Sequence, residues 1–328
     1  MYRHQEEHSV EAICYEHKHI EKVLGIVKTK FPEYFDDFIR LNAKHGVSEQ
    51  DIKKLAEKFG VQKVKAKKNV NISQSFKNIV VEALEDFEKD RDKYIAIFDE
   101  EALEEYEDDP QYFKSTVLKN ECPIIHSTIH NKRAKELDKY RYEFNVSDPN
   151  DLLTVVSNLS NFAEDYYDKF YNENTYDQIN SYEDLKIKDL DSEDYTVYGV
   201  IGGGIKSHML YKCYPAIFPN RSRDAIWALW YLTDKKVIDC QYDSEFLMID
   251  LDKSITQQNY FYPYELFVYY AHQIYQMIKQ KADENNVNLD PENRYVIVDA
   301  FLAFIAKRHE DAISLFKQQI QNGGLGFD

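Results

Sequence analysis

The sequence predicts a mainly α-helical protein with two packed helical parts, residues 1–146 and 147–328, and at most a small β element in the C-terminal half. Three observations lead to this fold class. Apolar residues recur at spacings of three and four along most of the longer segments, which is the period of a helix with one buried face. Prolines and glycines separate these segments at distances typical of helix lengths. Strand patterns do not alternate with helical ones, so a parallel α/β sheet is not expected.

Helical patterns account for most of the N-terminal part. Residues Glu11–Asn42 are predicted to form an amphipathic helical hairpin, in which Pro32 separates the two helices because an internal proline removes a backbone hydrogen bond. Ser48 and Gly60 supply the start and stop signals of a short helix. Residues 73–106 carry one apolar face and one dense acidic face, so one or two surface helices are expected there.

The boundary between the two parts is predicted at residues 147–149, where a capping residue and a proline start a new helix. Before this point, residues 111–142 are expected to be helical with an interruption at Pro123. After it, residues 151–171 are predicted to form a helix. Residues 172–194 are predicted to form a polar loop with a short helix or turn, and a loop of this length often lies beside a functional site.

The C-terminal part ends in three predicted helices, residues 264–282, 291–306 and 310–321. Two short apolar segments, Tyr195–Val200 and Phe246–Asp252, favour strands, because each is rich in branched or aromatic residues over a strand-like length. These two segments are enough for a small sheet only.

The formal net charge of −17 is unevenly distributed along the chain. Residues 82–110 hold 14 acidic and 3 basic residues, and residues 164–195 hold 11 acidic and 3 basic residues. Residues 53–68 contain seven lysines and one acid. Because the two acidic segments carry the whole negative excess, the net charge does not exclude a nucleic-acid partner.

The composition favours a cytoplasmic protein that does not enter a membrane. The N-terminus has no apolar run of signal-peptide length, and no later stretch is long enough to cross a bilayer. The four cysteines are widely separated, which argues against a disulfide framework, and we expect reduced thiols. No motif specifies a cofactor, so none is expected. The cysteines are Cys14, Cys122, Cys213 and Cys240.

The most distinctive segment is residues 197–232, which contains four glycines, two prolines and both tryptophans. Gly202, Gly203 and Gly204 lie between an apolar segment and a predicted helix, so the backbone there is expected to need unusual conformations or close approach to a partner. One interpretation is a dinucleotide-binding loop, but the chain lacks the alternating strands and helices that such a loop requires.

The same segment resembles the hairpin of helix-hairpin-helix DNA-binding elements, in which a Gly-x-Gly turn precedes a helix that starts with Lys and Ser or Thr. The matching residues are Gly202, Gly204, Lys206 and Ser207. The continuation, through a proline turn into another helix, is similar to that of the DNA-glycosylase superfamily. The resemblance implies that backbone N–H groups at a helix start hold a phosphate. Nearby positive charge would come from Lys206, Arg221 and Arg223.

The chain also departs from that pattern. Gly203 replaces the middle hydrophobic residue of the hairpin, and His208 replaces a small residue. The residues before the glycines favour a strand over a first helix. Where glycosylases carry a catalytic aspartate, this chain has residues 220–222, Asn-Arg-Ser, so base excision is not implied.

A purely structural interpretation of the segment stays open beside the phosphate-binding one. In it, the glycines allow close packing, Trp227 and Trp230 fill the core from one helical face, and Arg221 and Arg223 bind neighbouring carbonyls or acids. The two interpretations are compatible, because a rigid turn can also bind a ligand.

Two groups of residues are candidate metal ligands. Cys122, His126 and His130 recur every four residues, which on a helix places them on one face. Pro123 opposes this, because a proline at the first helical position makes Cys122 the cap. Asp250 and Asp252 would lie on the same face of a strand, where paired carboxylates can hold a divalent cation. Ordinary surface roles are favoured for both groups.

The sequence therefore favours a protein that associates with DNA or RNA and binds phosphate, without a complete catalytic set. The residues expected to bind are Gly202, Gly203, Gly204, Lys206, Ser207, Arg221 and Arg223, with help from the lysines at 63–68. One alternative is a helical protein-interaction subunit whose acidic surfaces meet a basic partner. Another is a metal-dependent hydrolase or nuclease that uses the candidate ligands above.

Overall fold

Helices form most of the structure, as the periodicity predicts. The computed structural model describes residues 10–41, 71–132, 134, 137–236, 238–240, 245–250, 255–258 and 262–321. The predicted helix between Ser48 and Gly60, the lysine-rich residues 53–68 and Asp252 lie outside these described residues.

Within the described residues, the N-terminal part is formed mainly by helices. They are α1 (Val10–Ile13), α2 (His17–Leu41), α3 (Ile72–Glu88), α4 (Arg91–Ile97), α5 (Glu100–Glu105), α6 (Pro110–Tyr112), α7 (Pro123–His130) and α8 (Asp138–Val146). A 3-10 turn, Tyr106–Asp108, follows α5, and a π-helix, Phe113–Glu121, joins α6 to α7.

The C-terminal part contains longer helices and one β-hairpin. The helices are α9 (Pro149–Lys169), α10 (Glu173–Tyr176), α11 (Gly203–Cys213), α12 (Arg223–Leu232), α13 (Tyr264–Glu284), α14 (Arg294–Arg308) and α15 (Glu310–Gln321). The 3-10 turns are Glu183–Leu185, Lys188–Asp191, Glu193–Tyr195 and Pro291–Asn293. Strands β1 (Leu247–Asp250) and β2 (Ile255–Gln258) pair antiparallel, with Leu247 opposite Gln258.

The two predicted strand segments differ in outcome. The segment at 246–252 contains β1, which pairs with a second strand that the sequence did not indicate. The segment at 195–200 is not a strand. It is a tight turn closed by one bridge between Val197 and Ile201, with Gly199 at a positive φ of 79°. A side chain at Gly199 would lie 2.8 Å from Glu143, so this position requires glycine.

The prediction that Pro32 divides a helical hairpin was wrong. Helix α2 continues through Pro32 for 25 residues, and the chain breaks earlier, between Ile13 and His17. Phe31, Phe35 and Phe38 are buried on both sides of the proline. Burial of this continuous apolar face outweighs the one backbone hydrogen bond that proline removes, which costs about 3 kcal/mol.

Residues 111–142 are less regular than predicted. The interruption at Pro123 is confirmed, but the segment before it is a π-helix, and Cys122 N donates to Val117 O at 2.9 Å across five residues. A second interruption separates α7 from α8. Lys114 is buried against the end of α8, where its Nζ donates to the carbonyl oxygens of Asn145 and Ser147.

The core is built by helices from both parts of the chain. Helices α12 and α14 pack against each other, and both contact α2. The Phe38 and Phe301 rings lie 5.4 Å apart in an edge contact between α2 and α14. Trp227 and Trp230 are buried on α12. Helix α9 begins at Pro149, with the Asp148 side chain accepting from Asn150 N, as predicted for that boundary. One contiguous cluster of buried apolar residues runs through both parts.

Candidate anion site at the start of helix α11

Helix α11 starts at the glycine segment and is supported from three sides. The turn at 197–201, which is closed by the bridge between Val197 and Ile201, leads directly to Gly202. Gly202 has an extended conformation and precedes the first helical residue, Gly203. Helices α4, α7 and α9 contact α11. The start of this 11-residue helix is therefore held in place by the surrounding fold.

The residues at this helix start are partly or fully exposed. Gly202 and Gly203 are partly exposed, and Gly204 is exposed. Lys206 N makes the first intrahelical bond, to Gly202 O at 2.9 Å. Within the described residues, the amides of Gly203, Gly204 and Ile205 donate to no acceptor, and no side chain caps the helix. Such donors, at the positive end of a helix dipole, attract anions.

The Arg221 guanidinium lies against Gly203. A Cβ atom at Gly203 would lie 2.6 Å from Arg221 Nη1, so any larger residue there would require the guanidinium to shift. Arg221 is 3% exposed. Its backbone amide donates to Ser207 Oγ at 3.0 Å, and that hydroxyl donates to Gly204 O at 3.1 Å. Ser207 thus ties the Arg221 backbone to the first turn of α11, which fixes the arginine beside the glycines.

Lys206 points into the protein. It is 3% exposed, and its Nζ donates to Leu190 O and lies 3.4 Å from Thr196 Oγ1. Burial lowers the pKa of Lys206 to about 8, although the nearby Asp191 carboxylate opposes the shift. In this conformation the ammonium holds the 3-10 turn at 188–191 and does not reach a ligand at the helix start.

Arg223 is the exposed charge of the predicted set. It is the first residue of α12, its side chain is 65% exposed, and its Nε lies 3.7 Å from Asp224 Oδ1. Ser222 caps this helix by accepting from Ala225 N at 3.1 Å. The structure therefore brings together the three glycines, Ser207 and Arg221, leaves Arg223 at the surface and places Lys206 inside.

Two carboxylates near the site were missed in the sequence. Asp191 accepts from Tyr264 N through both oxygens, at 3.0 and 2.9 Å, and so caps α13 from 73 residues away. Glu265 is 3% exposed, and burial, aided by repulsion from Asp191, raises its pKa to about 7. The sequence held one indication of the Asp191 contact. No capping residue precedes Tyr264, so a side chain from another part of the chain was needed to cap this helix.

The predicted grouping of Cys122, His126 and His130 is not formed. Cys122 is fully buried at the cap position, because Pro123 is the first residue of α7. His126 and His130 are exposed and stack on each other, with ring centroids 4.1 Å apart. No group of three or more His, Cys, Asp or Glu side chains able to hold a metal ion occurs among the described residues. Asp250 ends β1, and its predicted partner at 252 is not described.

The acidic segment 82–110 presents a dense charged surface. Eight of its carboxylate residues, between 99 and 109, are exposed, and none forms an ion pair with another described residue. They are Asp99, Glu100, Glu101, Glu104, Glu105, Glu107, Asp108 and Asp109. Asp99 and Asp109 cap the helices that follow them. We call these eight residues the acidic surface.

Comparisons with protein-family models, curated proteins and solved structures gave no match for this chain. In the part of the chain that the structure describes, no helix combines the length and the apolar character needed to span a bilayer.

Proposed function

We propose that the protein associates with nucleic acid by holding one backbone phosphate at the start of α11. The observation that carries the proposal is the set of backbone amides at Gly203, Gly204 and Ile205, which belong to partly or fully exposed residues and make no hydrogen bond within the described residues. Backbone amides at a helix start bind phosphate through hydrogen bonds and the helix dipole together. The Arg221 guanidinium beside Gly203 adds fixed positive charge at the same point.

The site suits a single phosphate better than a long polyanion. Lys206 is internal, which leaves Arg221 and Arg223 as the nearby cations. The 3-10 turns that precede the glycines carry six acids, four between Asp189 and Asp194 and two at 183–184, which repel additional phosphates. Recognition would then depend on backbone geometry and carry little information about base sequence.

Salt dependence tests this proposal directly. A fluorescently labelled duplex and a single strand of the same sequence are titrated with the protein at several salt concentrations. One phosphate contact predicts a slope of about −1 in log K against log salt, because about 0.9 counterions are released per duplex phosphate contact. Arg223→Gln should weaken binding only slightly. An absence of retention at low salt would contradict the proposal.

The acidic surface favours a second candidate function, docking of a basic protein segment. Its eight exposed carboxylates lie within eleven residues and stay free of ion pairs in the described structure. Opposite charge steers association and sets specificity. A lysine-rich peptide should bind the wild type and lose affinity when Glu100, Glu101, Glu104 and Glu105 are changed to Gln. The matched control changes two exposed acids of the N-terminal region, Glu16 and Glu21; an equal loss in this control would contradict the second function.

A further inference from the structure

A second concave site lies between the middle of α2 and residues 234–239, which follow α12. The cleft has a volume of about 610 Å³, within the range of small-molecule sites. Its walls carry Lys22 and Lys30 from α2 and Asp234, Lys236 and Asp239 from the facing loop. Its lining residues include none of the glycines, Ser207 or the arginines of the α11 site.

Gly25 forms the floor of this cleft and has no packing reason to be glycine. It is exposed in the middle of a 25-residue helix, where glycine costs roughly 0.5–1 kcal/mol relative to alanine. A Cβ atom built there would meet no atom within 4 Å. At Gly203, by contrast, a Cβ atom would meet a neighbouring side chain. The missing side chain at Gly25 instead leaves the cleft open.

The facing loop is held in an uncommon conformation. Asp234, Lys235 and Asp239 have positive φ angles of 59°, 58° and 55°, a region that costs non-glycine residues about 1 kcal/mol or more each. Such conformations persist only where the surroundings determine them. Here the bend at Asp234 and Lys235 is closed by backbone hydrogen bonds that end α12, including Lys235 N to Trp230 O at 2.8 Å. Ion pairs also join the loop to α2, from Lys30 Nζ to Asp234 at 3.0 Å and from Lys22 Nζ to Asp239 at 2.5 Å.

The cleft carries net positive charge in an acidic protein. Three ammonium groups face two carboxylates, and Lys236 shares Asp234 with Lys30 at 3.3 Å. Each ammonium has three donors, and the ion pairs use one of them. Lys22 and Lys236 are each 56% exposed, so their remaining donors are accessible. Ile26 and Ile238 supply apolar surface beside them.

We propose that this cleft binds a small organic phosphate, with the phosphate among the ammonium groups of Lys22, Lys30 and Lys236 and the organic part on Ile26 and Ile238 above Gly25. Lysine suits this role because it meets phosphate as a compact point charge, whereas planar carboxylate recognition favours arginine. The one unmatched positive charge favours an anionic ligand over a neutral one.

Isothermal titration with phenyl phosphate tests the site. The wild type should show saturable binding, and Gly25→Leu should weaken it at least about tenfold by filling the floor, without loss of fold. Lys30→Gln should weaken it to a similar extent. Lys28→Gln removes an exposed lysine of α2 outside the cleft and should leave affinity unchanged.

Three results would overturn this inference. One is the absence of saturable binding up to about 10 mM, which corresponds to less than about 3 kcal/mol of binding free energy. The second is an equal loss of affinity in Lys28→Gln and Lys30→Gln, which would indicate unspecific charge attraction. The third is equal affinity for inorganic phosphate and phenyl phosphate, which would remove the organic part of the ligand.

Discussion

At the scale of single residues, the three neighbouring glycines differ in the space they leave for a side chain, and Gly203 leaves the least. A Cβ atom at Gly203 would lie 2.6 Å from Arg221 Nη1, whereas at Gly204 the nearest atom is 3.7 Å away and at Gly202 nothing lies within 4 Å. Gly203→Ala should therefore displace the buried guanidinium and lower the free energy of unfolding by about 1–3 kcal/mol. Denaturant unfolding measures this loss. Gly202→Ala and Gly204→Ala are the controls, and equal losses in all three would contradict the packing.

The Arg294 guanidinium is a buried charge that depends on its close partners. It is fully buried, donates to Asp177 Oδ1 at 3.0 and 2.8 Å and to Ala216 O at 2.6 Å, and lies 4.7 Å from the Tyr176 ring centroid. Asp177→Ala leaves this guanidinium without its counter-charge, so unfolding free energy should fall by about 3–5 kcal/mol.

The matched control for Asp177 is an exposed carboxylate in a helical ion pair. Asp165 pairs with Lys169 at 2.7 Å, and both side chains are at least 60% exposed. Asp165→Ala should cost less than about 1 kcal/mol. A similar cost for both alanine variants in urea unfolding would show that Arg294 does not depend on Asp177.

At the scale of elements, α2 shows how packing overrides a local signal. Pro32 lies inside the helix, and its ring cannot supply the amide that Lys28 O would accept. Pro32→Ala restores this bond without changing the buried face. The free energy of unfolding should therefore rise by roughly 1 kcal/mol or more, and the melting temperature should rise with it. A lower melting temperature, with helix content unchanged by circular dichroism, would contradict the assigned cost of Pro32 to α2.

The elements that the sequence predicted well are those with local signals. Asp148 and Pro149 start α9, because the Asp148 side chain accepts from an amide only two residues away. The elements it missed depend on partners far along the chain. Lys206 binds the Leu190 carbonyl, and Asp191 caps α13 across 73 residues. The spacing of residues in one sequence does not show which distant group will supply such a bond. The sequence therefore placed Lys206 at the helix start but did not predict that its side chain points into the protein.

At the scale of the whole molecule, buried groups with opposite pKa shifts balance one another. Burial raises the pKa of Asp299 and of Glu265 to about 7. Burial lowers the pKa of His208 and of His272 to about 4. The folded state binds more protons at the two acids and fewer at the two histidines, so their effects on stability oppose each other below pH 6.5.

Removing the two acids should expose this balance. Between about pH 4 and 7 the native acids hold protons that the unfolded chain has released, so their contribution to stability falls as pH rises. In a double variant, Asp299→Asn with Glu265→Gln, this pH-dependent loss of stability is absent. The stability of the variant relative to wild type should increase with pH from about 4 to about 7, by several kcal/mol for the two acids together, and then stay level. A pH-independent difference in urea unfolding would contradict the assigned shifts.

The proposed association with nucleic acid rests on backbone donors at the start of α11, and one pair of variants at Gly204 tests it most directly. Gly204→Pro removes the amide, while Gly204→Ala adds the same Cβ, which has room, and keeps the amide. Anisotropy of a labelled duplex at low salt should show wild-type affinity for Gly204→Ala and an affinity lower by about tenfold for Gly204→Pro, or about 1.4 kcal/mol. Equal affinities for the two variants, with both folded, would show that phosphate is not held at this helix start.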